Sequence, residues 1–115
     1  HATTDPATIT AWWSGMYKDA NICVATGQGL LVLDFDVKKG GLKSLEEMDM
    51  LGLPWSYRVQ TPSGGVHVYL KCDDDLTVSV DAIPGYPGVD VRCNGGLVVG
   101  AGSTINGGAY VELGP

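Results

Sequence analysis

Two carboxylates stand one residue apart at the end of a short apolar run. Residues 30–33 are all apolar, and Asp34 and Asp36 follow with a phenylalanine between them. A short run of branched residues preceded by glycines is typical of a buried strand. Because side chains alternate along a strand, Asp34 and Asp36 point to the same face. A divalent cation held by oxygen ligands would compensate their repulsion. The alternative, two solvated acids at a strand end, stays open on this stretch alone.

A glycine turn and a histidine form a second candidate group. A turn formed by Ser63, Gly64 and Gly65 precedes His67. His67 lies on another predicted strand, on the face opposite Val66 and Val68. The N–H groups of such a turn are suited to phosphate oxygens, because no Cβ blocks their approach. His67 is able to donate a hydrogen bond to the same phosphates or to take a proton. The alternative is a structural histidine on a sheet.

A third group lies on a short predicted strand near residue 90. Asp90 and Arg92 are two residues apart, so they share one face of this strand. Together with Asp34 and Asp36, Asp90 makes three carboxylates. Three carboxylates are able to hold two divalent ions about 3.5–4 Å apart, the arrangement used for in-line phosphoryl displacement. The acids 73–75 resemble a metal cluster, but three consecutive acids are more typical of a solvated loop.

Two helices are predicted. Asp5 as N-cap and Pro6 as first residue begin a helix over about residues 6–17. The apolar residues of this segment fall at near-helical spacing: Ile9, Trp12, Trp13 and Met16. For the two tryptophans, this spacing favours core packing over a ligand platform. Residues 44–50 form the second helix, and the glycine at position 52 stands where a C-cap would.

About seven strands are predicted, over residues 21–25, 30–36, 57–60, 66–70, 89–92, 97–100 and 110–113. The first two and the next two are joined by short glycine-bearing loops, which indicates two antiparallel hairpins. The chain is therefore expected to be an α+β domain, with a mostly antiparallel or mixed sheet on which two short helices pack.

The composition excludes several classes of protein. A length of 115 residues provides one domain, and 44% hydrophobic residues exclude a disordered chain. No apolar run reaches the roughly 20 residues of a membrane span. The net charge of −6 argues against holding nucleic acid by a basic surface alone. Three cysteines without a CxxC pair indicate reduced, buried thiols in a cytoplasm.

Taken in their order along the chain, the sequence motifs resemble those of the bifunctional primase–polymerase (Prim-Pol) domain of the archaeo-eukaryotic primase superfamily. The resemblance covers nearly the whole chain. It is carried by residues 2–6, 11–13, 25–27, 33–36, 40–41, 44–45, 61–69, 88–92 and 95–99. No single motif is specific, since DxD and SGG are common, whereas the ordered set is.

The resemblance implies roles for individual residues. The implied ligands of two Mg²⁺ or Mn²⁺ ions are Asp34, Asp36 and Asp90, which with His67 form the implied catalytic set. The implied nucleotide-binding residues are Ser63, Gly64, Gly65, His67 and Arg92. It also implies an RRM-like sheet as the catalytic palm. Residues 1–115 are then a single catalytic domain without the segment that members carry ahead of residues 2–6.

The implied activity is template-directed nucleotidyl transfer, that of a DNA primase and DNA polymerase. Its partners would be nucleoside triphosphates, a single-stranded DNA template with its primer, and a helicase domain or helicase protein, but no membrane. The setting would be replication of a phage, plasmid or other mobile element in the cytoplasm of a bacterial, archaeal or phage-infected cell. One alternative is a palm domain that binds nucleotide or nucleic acid with weak or no catalysis. Another is a haloacid-dehalogenase-like phosphatase, which requires a parallel sheet.

Overall fold

The computed structural model describes residues 2–15, 17–74, 76–80 and 82–114. Helix α1 spans Pro6–Ser14, a short 3₁₀ helix spans Val37–Lys39, and helix α2 spans Gly41–Met50. The strands of this described part are β1 Cys23–Ala25, β2 Leu30–Phe35, β3 Arg58–Gln60, β4 Val66–Lys71, β5 Val89–Arg92, β6 Leu97–Val99, β7 Thr104–Ile105, β8 Gly108–Ala109 and β9 Val111–Leu113. The α+β class with antiparallel sheets and two helices is confirmed.

The central sheet has five strands in the order β5-β2-β4-β3-β9, and every neighbouring pair is antiparallel. The apolar run at residues 30–33 places β2 inside the sheet, where both of its edges are paired. The predicted hairpin of β3 and β4 is confirmed, with residues 61–65 as its turn. This hairpin brings the glycine turn next to the end of β2.

The two faces of the central sheet differ in chemistry because side chains alternate along each strand. One face carries the hydrophobic core and is covered by α2. Its buried residues are Leu31, Leu33, Phe35, Val66, Val68, Val89 and Cys93. The other face carries Asp34, since this residue alternates with Leu33 and Phe35. Each fully buried valine or phenylalanine of the core contributes roughly 1.5–3 kcal/mol, so the sheet gives the polar face a rigid support.

Helix α1 begins as predicted. The Asp5 carboxylate accepts a hydrogen bond from the Thr8 N–H at 3.2 Å, and the bonds from Thr8 hold the pKa of Asp5 below its usual value. The helix ends at Ser14, three residues early. Trp12 and Trp13 are only partly buried, and no residue of α1 is buried. The prediction that they pack in the core is therefore wrong, because helical spacing defines an apolar face but not what covers it.

The first predicted hairpin is also wrong. Strand β1 pairs with β6 in a separate two-stranded sheet, and only an isolated bridge between Gly27 and Leu30 links it to the start of β2. Gly27, Gln28 and Gly29 all have positive φ angles, of 104°, 52° and 94°. Three successive residues in this conformation direct the two strands into different sheets.

Helix α2 begins at Gly41, three residues before the predicted start, and Gly52 beyond its end has the left-handed φ of 99° expected after a helix. All three cysteines are free thiols, but only Cys93 is buried, so the expectation of buried thiols holds for that residue alone. No helix in the described part of the chain is long and apolar enough to cross a bilayer.

Candidate functional site

Asp34 is the centre of a row of polar residues that crosses three strands. It lies directly opposite His67 on β4 and directly opposite Asp90 on β5. Residues opposite one another in antiparallel strands point to the same face, with Cβ atoms about 4.5–5.5 Å apart. The pairing register therefore brings together three residues that are widely separated in sequence.

Two basic side chains face Asp34 from different sides. His67 Nε2 lies 3.5 Å from Asp34 Oδ1, and Arg92 Nη2 lies 3.6 Å from Asp34 Oδ2. Burial alone would raise the pKa of the Asp34 carboxyl. The hydrogen bond and charge of His67 and the charge of Arg92 outweigh burial, so this pKa lies below its usual value. Asp34 is thus an ionised carboxylate at neutral pH.

Arg92 joins the two acids of neighbouring strands. Its Nη2 also lies 3.8 Å from Asp90 Oδ2, so one guanidinium group faces both Asp34 and Asp90. As predicted, Asp90 and Arg92 lie on the same face of β5, because they are two residues apart on this strand. In the described chain, this guanidinium balances two carboxylates that would otherwise repel each other.

Asp36 lies just beyond the end of β2 and caps the 3₁₀ helix. Its Oδ1 accepts a hydrogen bond from the Lys38 N–H at 2.9 Å. Its own N–H donates to the carbonyl of Gly88 at 2.8 Å, and its carbonyl accepts from Gly41 N–H at 2.8 Å. The two acids of the DxD motif therefore have different supports, a sheet for Asp34 and a tight turn for Asp36.

A cleft of about 560 Å³ opens beside these acids. Its lining residues are Asp34, Phe35, Asp36, Lys38, Thr61, Pro62, Ser63, His67, Ile105, Asn106, Gly108 and Tyr110. Four of the residues singled out from the sequence line it: Asp34, Asp36, Ser63 and His67. Asp90 and Arg92 lie on the same sheet face beyond Asp34 and are not among the lining residues.

The glycine turn, residues 63–65, packs against the end of β2 next to the cleft. A Cβ at Gly65 would lie 2.5 Å from the carbonyl oxygen of Phe35, and Gly64 has a left-handed φ of 91°. These glycines allow the turn to approach the end of β2, although neither lines the cleft. Ser63 Oγ lies 3.3 Å from Thr61 Oγ1, so two hydroxyl groups sit side by side at the rim.

His67 is buried, and its Nδ1 atom is buried without a hydrogen-bond partner among the described residues. Its ring faces that of Tyr110, with centroids 6.1 Å apart and planes inclined by 38°. A buried polar atom without a partner costs about 1–3 kcal/mol. The His67 ring lines the cleft, but a ligand there would contact Nδ1 only after a shift that exposes this atom.

Sequence reasoning missed one wall of this cleft. Strands β7 and β8 form a two-stranded hairpin that carries Ile105, Asn106 and Gly108, and Tyr110 follows it. The signal was the dipeptide at 106–107: Asn106 and Gly107 both have positive φ angles, of 51° and 80°, as a two-residue hairpin turn requires. Lys38 and Thr61 were also missed as lining residues, although Thr61 begins the stretch 61–69 that carries the family resemblance.

The carboxylates fit a divalent cation by type and by face. Asp34 and Asp90 are carboxylates on adjacent strands, and Asp36 lies two residues after Asp34, just beyond the end of β2. However, within the described ranges no three His, Cys, Asp or Glu side chains are grouped as metal ligands. The Asp34 oxygens face His67 and Arg92 instead. The predicted two-metal site stays a prediction.

The fold and the site define an α+β domain whose antiparallel sheet presents Asp34 beside a polar cleft of the size of a nucleotide-binding pocket. The sequence matches the family of the bifunctional DNA primase/polymerase N-terminal domain, Prim-Pol, over residues 1–114, and the chain belongs to this family. No curated protein matches it. The family resemblance drawn from the motifs is thus confirmed, and membership indicates a primase/polymerase type of activity with binding of nucleotide and DNA.

Proposed function

We propose that this domain joins nucleotides on a DNA template at the Asp34 face of the central sheet. The 3′-hydroxyl oxygen of a primer forms a bond to the α-phosphorus of a nucleoside triphosphate. The bond from that phosphorus to the bridging oxygen breaks, and pyrophosphate leaves. The observation that carries the proposal is the register of β2, which places His67 and Asp90 opposite Asp34 at the edge of a cleft of about 560 Å³.

The triphosphate would occupy the cleft. Lys38 supplies a positive charge, and Ser63 supplies a hydroxyl donor at the rim. His67 also lines the cleft, and a shift that exposes its buried, unpartnered Nδ1 would let a phosphate oxygen bond to this nitrogen. Within the glycine turn, Gly64 and Gly65 do not line the cleft, and the Gly64 N–H donates to the Thr61 carbonyl at 2.9 Å, so Ser63 is the residue of this turn that faces the triphosphate.

The acids would hold the divalent ions. Asp34, Asp36 and Asp90 are the residues we assign as ligands of Mg²⁺ or Mn²⁺. When bound, such ions activate the attacking hydroxyl and neutralise the charge on the leaving group. Arg92 keeps Asp34 and Asp90 together in the absence of other cations. The lowered pKa of Asp34 keeps its carboxylate ionised and available as a ligand.

The proposed setting is the replication of a phage, plasmid or other mobile element, together with a helicase domain or partner. The support for this setting is the family alone. The net charge of −6 means that phosphate neutralisation by this domain contributes little to template binding. A DNA-unwinding partner or a basic region elsewhere would then hold the template.

The structure bears differently on the two alternative functions. A phosphatase of the haloacid-dehalogenase type requires a parallel sheet, whereas all neighbouring strands of the central sheet are antiparallel. A palm domain that binds nucleotide without catalysis is favoured by one observation. The two Asp34 oxygens already face His67 and Arg92, so a metal ion has to compete with the Arg92 guanidinium.

Primer extension tests the proposal. The longest natural protein that contains this domain is incubated with a primed DNA template, nucleoside triphosphates and Mg²⁺ or Mn²⁺. We expect extension by the unsubstituted protein and its loss in Asp34→Asn, with the fold intact by circular dichroism. Asp73→Asn, at an exposed position outside the cleft, is the matched control and should retain activity. Extension that persists in Asp34→Asn would contradict the proposed site, and nucleotide binding without extension would favour the non-catalytic palm.

A further inference from the structure

The Asp34 face of the sheet carries a second row of side chains, one step along the strands. Tyr69 on β4 lies opposite Val32 on β2, and Val32 lies opposite Arg92 on β5. The Tyr69 N–H donates to the Tyr57 carbonyl at 2.9 Å, which extends the β3–β4 ladder and places Tyr57 opposite Tyr69. The second row therefore runs Tyr57, Tyr69, Val32, Arg92, and it lies about 7 Å from the row of Asp34, two residues along each strand.

This second row is largely aromatic and neutral. The rings of Tyr57 and Tyr69 meet edge to face, with centroids 4.9 Å apart and planes at 86°. Val32, the third residue of the row, is fully buried. Burial, and to a smaller degree Tyr57, raises the pKa of Tyr69 to about 12, so its hydroxyl stays protonated. Tyr57 is 43% exposed, so part of an aromatic ring, held by a second ring, is presented to solvent.

The second row and the cleft lie on opposite sides of Asp34. Along β2, the cleft extends from Asp34 toward Asp36, whereas Val32 and the tyrosines lie in the other direction. A triphosphate in the cleft therefore leaves Tyr57 uncovered. A strand that passes Asp34 would continue over the tyrosines.

Charge on this face indicates how such a strand would be held. Arg92 ends the second row, and Lys71 lies two residues beyond Tyr69 on the same face of β4. Two cations on a chain of net charge −6 neutralise few phosphates. Stacking of a base on an aromatic ring contributes independently of charge, and only an unstacked, single-stranded base offers its face.

We propose that Tyr57, positioned by Tyr69, is a stacking platform for one base of the single-stranded DNA template. This inference rests on the proposed function, because the strand that Tyr57 receives is the one copied at Asp34. Tyr69 is a positioning residue, since Tyr57 lies against its ring and offers the exposed surface.

Binding of a labelled oligothymidylate by fluorescence anisotropy at low salt, without nucleotide, tests the platform. We expect Tyr57→Ala to weaken binding at least about fivefold, which corresponds to the loss of roughly 1 kcal/mol of stacking. Tyr57→Phe should bind as the unsubstituted protein does. Tyr17→Ala is the matched control, because Tyr17 is also exposed, at 48%, but lies outside every strand. An abasic oligonucleotide of equal length should bind equally to Tyr57→Ala and to the unsubstituted protein.

Several results would overturn the platform: equal binding of oligothymidylate by Tyr57→Ala and the unsubstituted protein, equal losses in Tyr57→Phe and Tyr57→Ala, or no binding by the unsubstituted protein. A loss that is the same for the abasic strand would also overturn it, since stacking requires the base. The proposed function fails by a different result, extension that persists in Asp34→Asn. A failed platform together with extension lost in Asp34→Asn leaves the proposed function standing.

Discussion

Asp34 and His67 lie directly opposite one another on β2 and β4, with His67 Nε2 3.5 Å from Asp34 Oδ1. The acid thereby fixes the orientation of the imidazole ring. The other ring nitrogen, Nδ1, is buried without a hydrogen-bond partner in the described structure. Under the proposed function, a phosphate oxygen in the cleft bonds to this second nitrogen once a shift of the ring or its neighbours exposes it.

The first prediction concerns His67. Replacing it with alanine should lower the affinity for a nucleoside triphosphate roughly tenfold or more, because a hydrogen bond to a charged group is worth about 1.5–3 kcal/mol. Isothermal titration calorimetry with the triphosphate measures the change. The pKa of Asp34 should rise in the same variant, since the hydrogen bond from His67 lowers it. An affinity within error of the unsubstituted protein would show that His67 is structural.

The second prediction concerns Arg92. Replacing it with glutamine removes the cation between Asp34 and Asp90, so the unfolding free energy should fall by about 1 kcal/mol. Mn²⁺ alone should then raise the melting temperature more than it does in the unsubstituted protein, because the acids no longer have an internal counter-ion. Thermal denaturation with and without Mn²⁺ measures both effects. Lys18→Gln, at an exposed position, is the control. An equal Mn²⁺ increment in both proteins would rule out competition between Arg92 and the metal.

The third prediction concerns Gly65. A Cβ there would lie 2.5 Å from the carbonyl oxygen of Phe35, so Gly65→Ala should push the glycine turn away from β2. Overpacking of this kind costs about 1–3 kcal/mol, and the displaced turn should also weaken triphosphate binding. Urea denaturation and calorimetry measure the two effects. Gly114→Ala is the matched control, because its added Cβ would meet no atom within 4 Å. Unchanged stability in Gly65→Ala would mean that the turn is not held against β2.

The fourth prediction concerns the ion pair on the core side of the sheet. Arg58 donates from Nη1 to Asp49 Oδ2 at 3.0 Å and from Nη2 to Asp49 Oδ1 at 2.7 Å, and it lies over the Trp55 ring at 4.3 Å. Arg58 is 3% exposed and Asp49 is 39% exposed. Asp49→Asn should therefore lower the unfolding free energy at pH 7 by about 1–2 kcal/mol, a value reduced for the exposure of the acid.

The pH dependence of this effect follows from the lowered pKa of Asp49, which the hydrogen bond from Arg58 causes. A folded-state pKa below the unfolded value of 3.8 gives stability that is fully present above pH 3.8. It is lost as the pH falls through the lower folded-state value. The difference between the unsubstituted protein and Asp49→Asn should thus be constant from pH 7 to about pH 5 and shrink below pH 4. Urea denaturation across this range measures it, and a difference that does not change with pH would contradict the assignment.

The sequence by itself determined the local features of this protein. The apolar run before Asp34 defines β2, and alternation defines which residues share its face, because both follow from the geometry of a single strand. The β3–β4 hairpin and the end of α2 shortly before Gly52 were likewise predictable, since glycine turns and caps act over a few residues. The ordered motifs also sufficed to identify the family.

Only the tertiary structure decided which residues meet. The register that sets His67 and Asp90 opposite Asp34 depends on pairing between strands more than twenty residues apart, and no local pattern encodes it. The pairing of β1 with β6 and the β7–β8 wall of the cleft have the same origin. The contact of Arg92 with two acids is also non-local. Local backbone preferences fix periodicity and turns, whereas partner choice is set by burial and charge balance over the whole domain.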